Sequence, residues 1–422
     1  MSKIEKLIKE LCPNGIIFKT IGEICETITD YVAAGSFKDL SNNVKYLKEP
    51  DYAMLIRTTD IKSNFKGDKF IYINEAAFNY LWRVNLDKES IVLPNIGNCG
   101  EVYYLTPNDL PYKRCALATN SILVRSKQVN MKYLKHIFLA KDFQTQLKKI
   151  ISPSGQTKFN KTDLKKLKIP VPPLEVQEEI VRILDKFGEL EAELEAELEA
   201  RKSQYEFWQD NLLENIKSET RFLWEVTTWD KKYMSVNSEM QKNIKKYKYL
   251  LASELEKISL ENGNVLILET GISNKIKYTT EQLAGESLCT GEIVAIPWGG
   301  TPNVKYYNGK FVSGDNRIAT SNNTNVLLNK YLFYFLKSHI EELSSFYRGS
   351  GIKHPSMLNV LNMKIKIPTL DEQERIVNIL DKFDKLVNDI SEGLPAEIEA
   401  RRKQYEYYRN KLLSFEELII ND

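Results

Sequence analysis

The sequence predicts an α+β fold with an internal two-fold pseudo-repeat, two globular blocks alternating with two long helical segments. Three observations lead there: a motif around residue 180 that returns around residue 376, an apolar seam on helical spacing, and a charge that changes sign from block to block.

The repeat comes first. "KIPVPPLEVQEEIVRILDKFGEL" (168–190) aligns without gaps on "KIKIPTLDEQERIVNILDKFDKL" (364–386), identical at 14 of 23 positions. "EARKSQYEFWQDNLL" (199–213) aligns on "EARRKQYEYYRNKLL" (399–413), identical at 8 of 15. The offset is 196 in the first match and 200 in the second, so the second copy carries one extra tetrapeptide between them. Ahead of these segments the likeness fades but persists: "SPSGQTKFNKTDLKKLKIP" (152–170) lines up with "RGSGIKHPSMLNVLNMKIK" (348–366). The helical parts have stayed alike while the globular parts have drifted apart.

Proline before the first turn and acids just inside it, as in "PPLEVQEE" and "IPTLDEQE", mark helix starts. Ile180, Ile183, Leu184, Phe187, Leu190, Leu194 and Leu198 then step by three or four, and Tyr205, Trp208 and Leu212 continue the stripe. That is one apolar seam on a charged helix. At 1.5 Å per residue a helix of about 44 residues runs ~66 Å, longer than a globular core requires. The second copy, with Phe383, Leu386, Ile390, Leu394 and Ile398 on the matching beat, is the candidate to cover it, running antiparallel. In "SEGLPAE", Gly393 suits a C′ position and Pro395 an N1 position, so a break is expected there. "ELEAELEAELEAR" (189–201) reads as a counted spacer, each unit adding ~6 Å.

Charge and composition narrow the function classes. Residues 1–168 carry net +10, 169–217 net −8, 218–364 net +4 and 365–422 net −4. The basic blocks suit phosphate and the acidic helices do not. The five cysteines are scattered without a CxxC pair, which fits free thiols in a reducing cytoplasm, and the three histidines lack ligand spacing for zinc. The start, "MSKIEKLIKELCPNG", is an amphipathic helix and not a signal peptide. No apolar run approaches the ~18 residues of a membrane span. There is no phosphate-binding G-x-x-x-x-G-K-[ST] loop, no Asn/Asp-Pro-Pro-Tyr/Phe motif and no G-x-G-x-x-G after a strand. The repeated carboxylates at 189–199 read as a solvated helix face.

With "IPVPPLEVQEEIVRILDKF", "IPTLDEQERIVNILDKFDKLVNDISEGLPAEIEARRKQYEYYRNKLLSF" and the "GSGIKHPS" loop in view, the chain resembles the specificity subunit of a type I restriction–modification system along essentially its whole length. The resemblance implies two mixed α/β target recognition domains, 1–168 and 218–364, each reading one half of a bipartite sequence in double-stranded DNA. It implies that the conserved helical regions, 169–217 and 365–422, pair as an antiparallel coiled coil that sets the gap and docks two methyltransferase subunits. Restriction subunits would join these. S-adenosylmethionine, ATP and Mg would belong to the partners, and this chain would be a non-catalytic, cytoplasmic subunit.

Base reading needs donors and acceptors on loops, Arg or Lys for guanine and Asn or Gln for adenine. Phosphate contacts need Lys, Arg, Ser, Thr and backbone amides. In the first block these fall at Arg57, Thr58, Thr59 and Lys62, at Asn95 and Asn98, and at Ser154, Gln156, Thr157 and Lys158. In the second they fall at Trp298, Thr301 and Asn303, at Asn316 and Arg317, and at Arg348, Ser350, Lys353 and His354. Paired loops differ in chemistry, Gln156-Thr-Lys against Ile352-Lys-His, so the two half-sites are expected to differ. A coiled-coil scaffold that does not touch DNA is the competing reading. A self-contained methyltransferase or nuclease is disfavoured by the missing motifs.

Overall fold

Ser90–Pro94, "SIVLP", is a strand (β1) buried along its full length, as an apolar run of this length between turns dictates. It lies antiparallel to β2 (Ser121–Arg125), with Leu93 opposite Ile122. Thr27–Asp30 and Tyr103–Leu105 complete a four-stranded sheet, and Ile71–Ile73, Ala53–Ile56 and Cys115–Leu117 form a three-stranded one. Helix α1 (Met131–Leu139) follows, its start capped by the Asn130 side chain, which accepts from the Lys132 and Tyr133 amides. The computed structural model describes residues 3–152, 155–271, 276–389 and 391–418.

The chain divides into two compact units, Met1–Glu193 with Ile398–Asp422, and Leu194–Glu397. Helix α2 (Leu174–Glu214) is continuous over 41 residues and contributes to both. In the first unit the two ends of the chain are stitched together. The Ile16 amide donates to the Glu416 carbonyl and the Leu418 amide to the Ile16 carbonyl, each at 2.9 Å.

The second unit is built on a six-stranded sheet in which β3 (Cys289–Pro297) lies between Lys305–Ser313 and β4 (Asn316–Ser321), with Ile296 opposite Arg317. Helix α3 (Asn329–Ser338) stands where α1 stands in the first unit. The chain then enters α4 (Leu370–Asn388) and α5 (Leu394–Leu412).

The repeat holds at the level of single hydrogen bonds, which explains why particular polar letters recur in an apolar motif. Gln177 accepts from the Asn130 amide at 2.9 Å and donates to the Pro172 carbonyl at 2.8 Å. Gln373 accepts from the Leu328 amide and donates to the Pro368 carbonyl, both at 2.9 Å. Both glutamines are buried, so each amide has to be satisfied. Lys132 meets Asp185 at 2.7 Å, and Lys330 meets Asp381 at 2.6 Å.

The helical regions pair antiparallel within each unit. In the first, Phe187 stacks on Tyr408 with centroids 5.4 Å apart and approaches Tyr405 at 6.2 Å, while Glu191 meets Arg402 at 2.6 Å. Numbers rise along α2 as they fall along α5. In the second, Tyr205 lies 6.2 Å from Phe383, and Glu214 meets Lys366 at 3.4 Å. An early phenylalanine of one helical region thus meets a late tyrosine of the other, twice.

The seam departs from the expected one in detail. Leu190, Leu194 and Leu198 are half-buried, and Leu394 and Ile398 are buried. Trp208 is 41% exposed, and Gln209 and Leu213 take the inner positions instead. The reason is a second neighbour: this part of α2 also packs on α3, where Gln209 faces the Tyr334 carbonyl at 3.5 Å. Leu386 is outward and Val387 inward, and Ile390 lies outside the described residues.

The break between α4 and α5 is present, by a different device. Gly393 is not a C′ residue of α4. Its carbonyl accepts from the Ala396 and Glu397 amides at 3.0 and 3.2 Å, so it caps the start of α5. A β-carbon there would stand 2.5 Å from the Lys385 carbonyl oxygen. Close approach, not a left-handed backbone, requires glycine.

Candidate nucleic-acid interface

Each central strand ends in proline, and the loop beyond it is tied to the loop that precedes the helical region. In the first unit the Asn95 amide donates to the Asn120 carbonyl at 3.0 Å and the Gly97 amide to the Thr157 carbonyl at 2.8 Å. In the second the Trp298 amide donates to the Asp315 carbonyl at 2.9 Å and the Gly300 amide to the Lys353 carbonyl at 3.1 Å. Gly97 and Gly300 have φ of +84° and +97°, a conformation in which other residues are strained. Two of the three loops expected in each block are therefore brought side by side, in the same way in both.

In the first unit Asn98, Gln156, Thr157 and Lys158 are exposed. The Thr157 hydroxyl donates to the Gly97 carbonyl at 2.5 Å, so it also braces the loop. Asn95 turns inward. Its side-chain Nδ2 donates to the Phe159 carbonyl at 3.2 Å, and its buried Oδ1 has no partner among the described residues. Ser154 lies outside the described residues.

The third loop of this block is occupied with itself. Thr58 opens the short helix Thr58–Lys62, and the Arg57 guanidinium grips Asp60 through Nη2 at 2.6 Å and Nε at 2.9 Å. That bidentate contact raises the arginine's pKa and cancels its charge locally. Thr59 is exposed, and Lys62 pairs with Glu101 at 2.7 Å.

In the second unit the Trp298 ring has the Arg317 guanidinium 4.7 Å and the Lys231 ammonium 5.1 Å from its centroid, and the His354 ring 5.1 Å away. His354 Nδ1 donates to the Trp298 carbonyl at 2.7 Å. Arg317, expected on an open loop, is 1% exposed and belongs to the core. It pairs with Asp230 at 2.9 Å and with Asp315. Burial pushes the Asp230 carboxyl up while Arg317 and the Tyr233 hydroxyl hold it down. Asn316 is also buried, donating to the Leu268 carbonyl at 2.9 Å. The loop around Asp315 is thus a post beneath Trp298, not a reading surface.

Asn303 donates to the Thr270 and Thr301 carbonyls at 3.3 and 3.1 Å. Thr301, Arg348, Ser350, Lys353 and His354 are exposed. Ile352 stands 70% exposed between Gly351 and Lys353 and was not among the expected contacts. Its signal was its alignment with Gln156, which put an aliphatic side chain where the other copy has an amide.

Among the described residues there is no cluster of three or more His, Cys, Asp or Glu that could hold a metal ion, and no helix long and apolar enough to cross a membrane. The arrangement offers donors, acceptors and cations on paired loops beyond the ends of the central strands, which is the chemistry of binding.

A family model described as the type I restriction modification DNA specificity domain matches twice, over residues 13–200 and 215–400. The EcoR124I/EcoR124II type I restriction enzyme specificity subunit of Escherichia coli is 30% identical over 60% of this chain and 63% of its own length. The chain therefore spans less than two thirds of that relative. A Haemophilus influenzae protein assigned as a type I restriction enzyme specificity subunit is 32% identical over 68% of this chain and 73% of its own. In fold, the chain is similar to a type I restriction–modification S subunit from M. genitalium, with a TM-score of 0.55 at 15% identity over 95% of this chain and 97% of that one. A chain from a type I system solved for its complex assembly and conformational transition gives a TM-score of 0.53 at 16% identity, over 95% of this chain and 98% of that one.

Proposed function

The chain belongs to the type I restriction–modification DNA specificity family, and from that premise we propose that it is the sequence-reading, non-catalytic subunit of such a complex. One observation carries this reading: the same two loops, tied by the same backbone bond, occur in both units with different side chains at equivalent positions. A shared frame with unlike heads suits an asymmetric bipartite target, because backbone contacts position and side chains specify.

The recognition blocks are 1–168 and 218–364, and the helical regions 169–217 and 365–422 set the gap between half-sites. Those helices dock two methyltransferase subunits, which bring S-adenosylmethionine. Restriction subunits bring ATP and Mg, and the assembly works in the cytoplasm. The chain holds none of these groups itself.

Long-read methylome mapping of cells carrying the gene tests this by reporting half-sites, gap and methylated base together. An interrupted, asymmetric motif that vanishes on deletion of the gene is expected. A palindromic, uninterrupted motif would overturn the two-head reading. A mobility shift of the chain with its methyltransferase separates the scaffold alternative. Specific, salt-sensitive binding is expected, and indifference to duplex DNA would favour the scaffold.

A further inference from the structure

We infer that Ile352 reads a thymine of the second half-site through the base's 5-methyl group, where the first unit presents the Gln156 amide. The inference rests on the DNA-reading function proposed above and names one contact within it. Gln156 and Ile352 occupy the same place, two residues after the aligned Ser154 and Ser350, in loops tied to the strand-end loop by equivalent bonds.

Ile352 is 70% exposed, in a loop (348–354) otherwise made of Arg, Gly, Ser, Lys and His. Its placement is built rather than incidental. A β-carbon on Gly299 would stand 2.8 Å from Ile352 Cγ2, so the absence of a side chain at 299 lets the isoleucine lie over the loop that carries Trp298. In the first unit the position equivalent to Gly299 is Ile96, which carries a side chain. Trp298 itself is anchored from below by buried Arg317 and from the side by His354. The occupant is a duplex rather than an apolar protein, because Lys353 and Arg348 flank the isoleucine in its loop and Lys231 lies against Trp298.

In the major groove the only apolar feature of a base edge is the thymine methyl, and aliphatic side chains recognise it by contact. Glutamine at the same place pairs with adenine N6 and N7.

The test is a deoxyuridine scan of the mapped target duplex, binding the chain assembled with its methyltransferase. Each thymine of the second half-site is replaced in turn, which removes the methyl group and nothing else. One position is expected to weaken binding by about fourfold, the effect of one buried methyl group. Ile352→Ala should bind the unmodified duplex more weakly and be indifferent to uracil at that position, while Ile352→Val should keep most of the discrimination. A flat scan over a specifically bound duplex overturns the inference and leaves the function standing, as does an equal uracil penalty in wild type and Ile352→Ala. Absence of any specific binding overturns the function and the inference together.

Discussion

His136 Nε2 lies 2.9 Å from Asp185 Oδ1, and its Nδ1 lies 3.1 Å from the Tyr405 hydroxyl. The imidazole thus bridges the first globular block, α2 and α5 inside one unit. In the other unit the same place holds Tyr334, which donates to Asp381 at 2.5 Å. Two different side chains make the same joint between block and helix, and only the histidine has an ordinary pKa near neutrality.

That difference gives the first unit a pH-dependent joint. His136 is 1% exposed, and burial pushes its pKa down to about 4 against the pull of Asp185. It is therefore neutral at pH 7, with Nε2–H donating to the carboxylate and Nδ1 accepting from Tyr405. The unfolded chain, with histidine near its ordinary 6.5, binds the extra proton first. Stability is fully present above about pH 6.5 and falls between about 6.5 and 4, by up to about 3 kcal/mol for the single group. Thermal unfolding at pH 7 and pH 5 measures this. His136→Gln should flatten the dependence in that window, and an unchanged slope would refute the assignment.

The two late tyrosines should respond oppositely to loss of their hydroxyls. Tyr405 donates to His136, so Tyr405→Phe should destabilise by about 1 kcal/mol. The Tyr205 hydroxyl is buried and has no hydrogen-bond partner among the described residues. Tyr205→Phe removes an unsatisfied polar atom, so its unfolding midpoint should hold or rise. Denaturant melts of the two variants give the comparison, and equal losses would mean that the local environments are not distinct.

Glycine makes a second such pair. Gly188 lies inside α2 with nothing within 4 Å of the β-carbon it lacks, so Gly188→Ala should stabilise by about 0.5–1 kcal/mol. At Gly393 the added carbon would meet backbone oxygens of Lys385, Leu386 and Asp389 at 2.5–2.8 Å. None of these can swing aside as a side chain would. Gly393→Ala should cost about 1–3 kcal/mol, read by the same melts. A neutral result would mean that the α4–α5 junction yields easily.

The repeat, the long helix and the break near Pro395 in its second copy were legible because each is written in local order: aligned letters, a 3–4 spacing, a breaker residue. The inward face of α2 beyond Arg201 was legible only in part. Periodicity favoured Trp208, yet packing on α3 buried Gln209, and no local pattern announces a second neighbour. Arg317 was misplaced for a related reason. An arginine beside Gly-Asp-Asn reads as a turn, and only the fold brings Asp230 from 87 residues away to bury it. The paired loops were each visible as polar, glycine-bearing stretches. Their union was not, because it depends on backbone bonds such as Gly97 to Thr157 that span 60 residues.

The counted tetrapeptide makes the most specific claim on function. Residues 193–196 lie within continuous α2, with Glu193, Glu195 and Ala196 exposed and Leu194 only half-buried, so their removal takes little from either core. Four residues carry ~6 Å of helix rise and a rotation of about 40° beyond a full turn. Against ~3.4 Å per base pair, the preferred gap between half-sites should shorten by one to two base pairs in the 193–196 deletion. The half-sites themselves should be unchanged, since every reading residue lies elsewhere. Methylome sequencing of cells carrying the deletion reads both quantities at once. A new gap with the old half-sites is the expected outcome. An unaltered gap would mean that the helix holds the units without measuring the DNA, and the counting would need another cause.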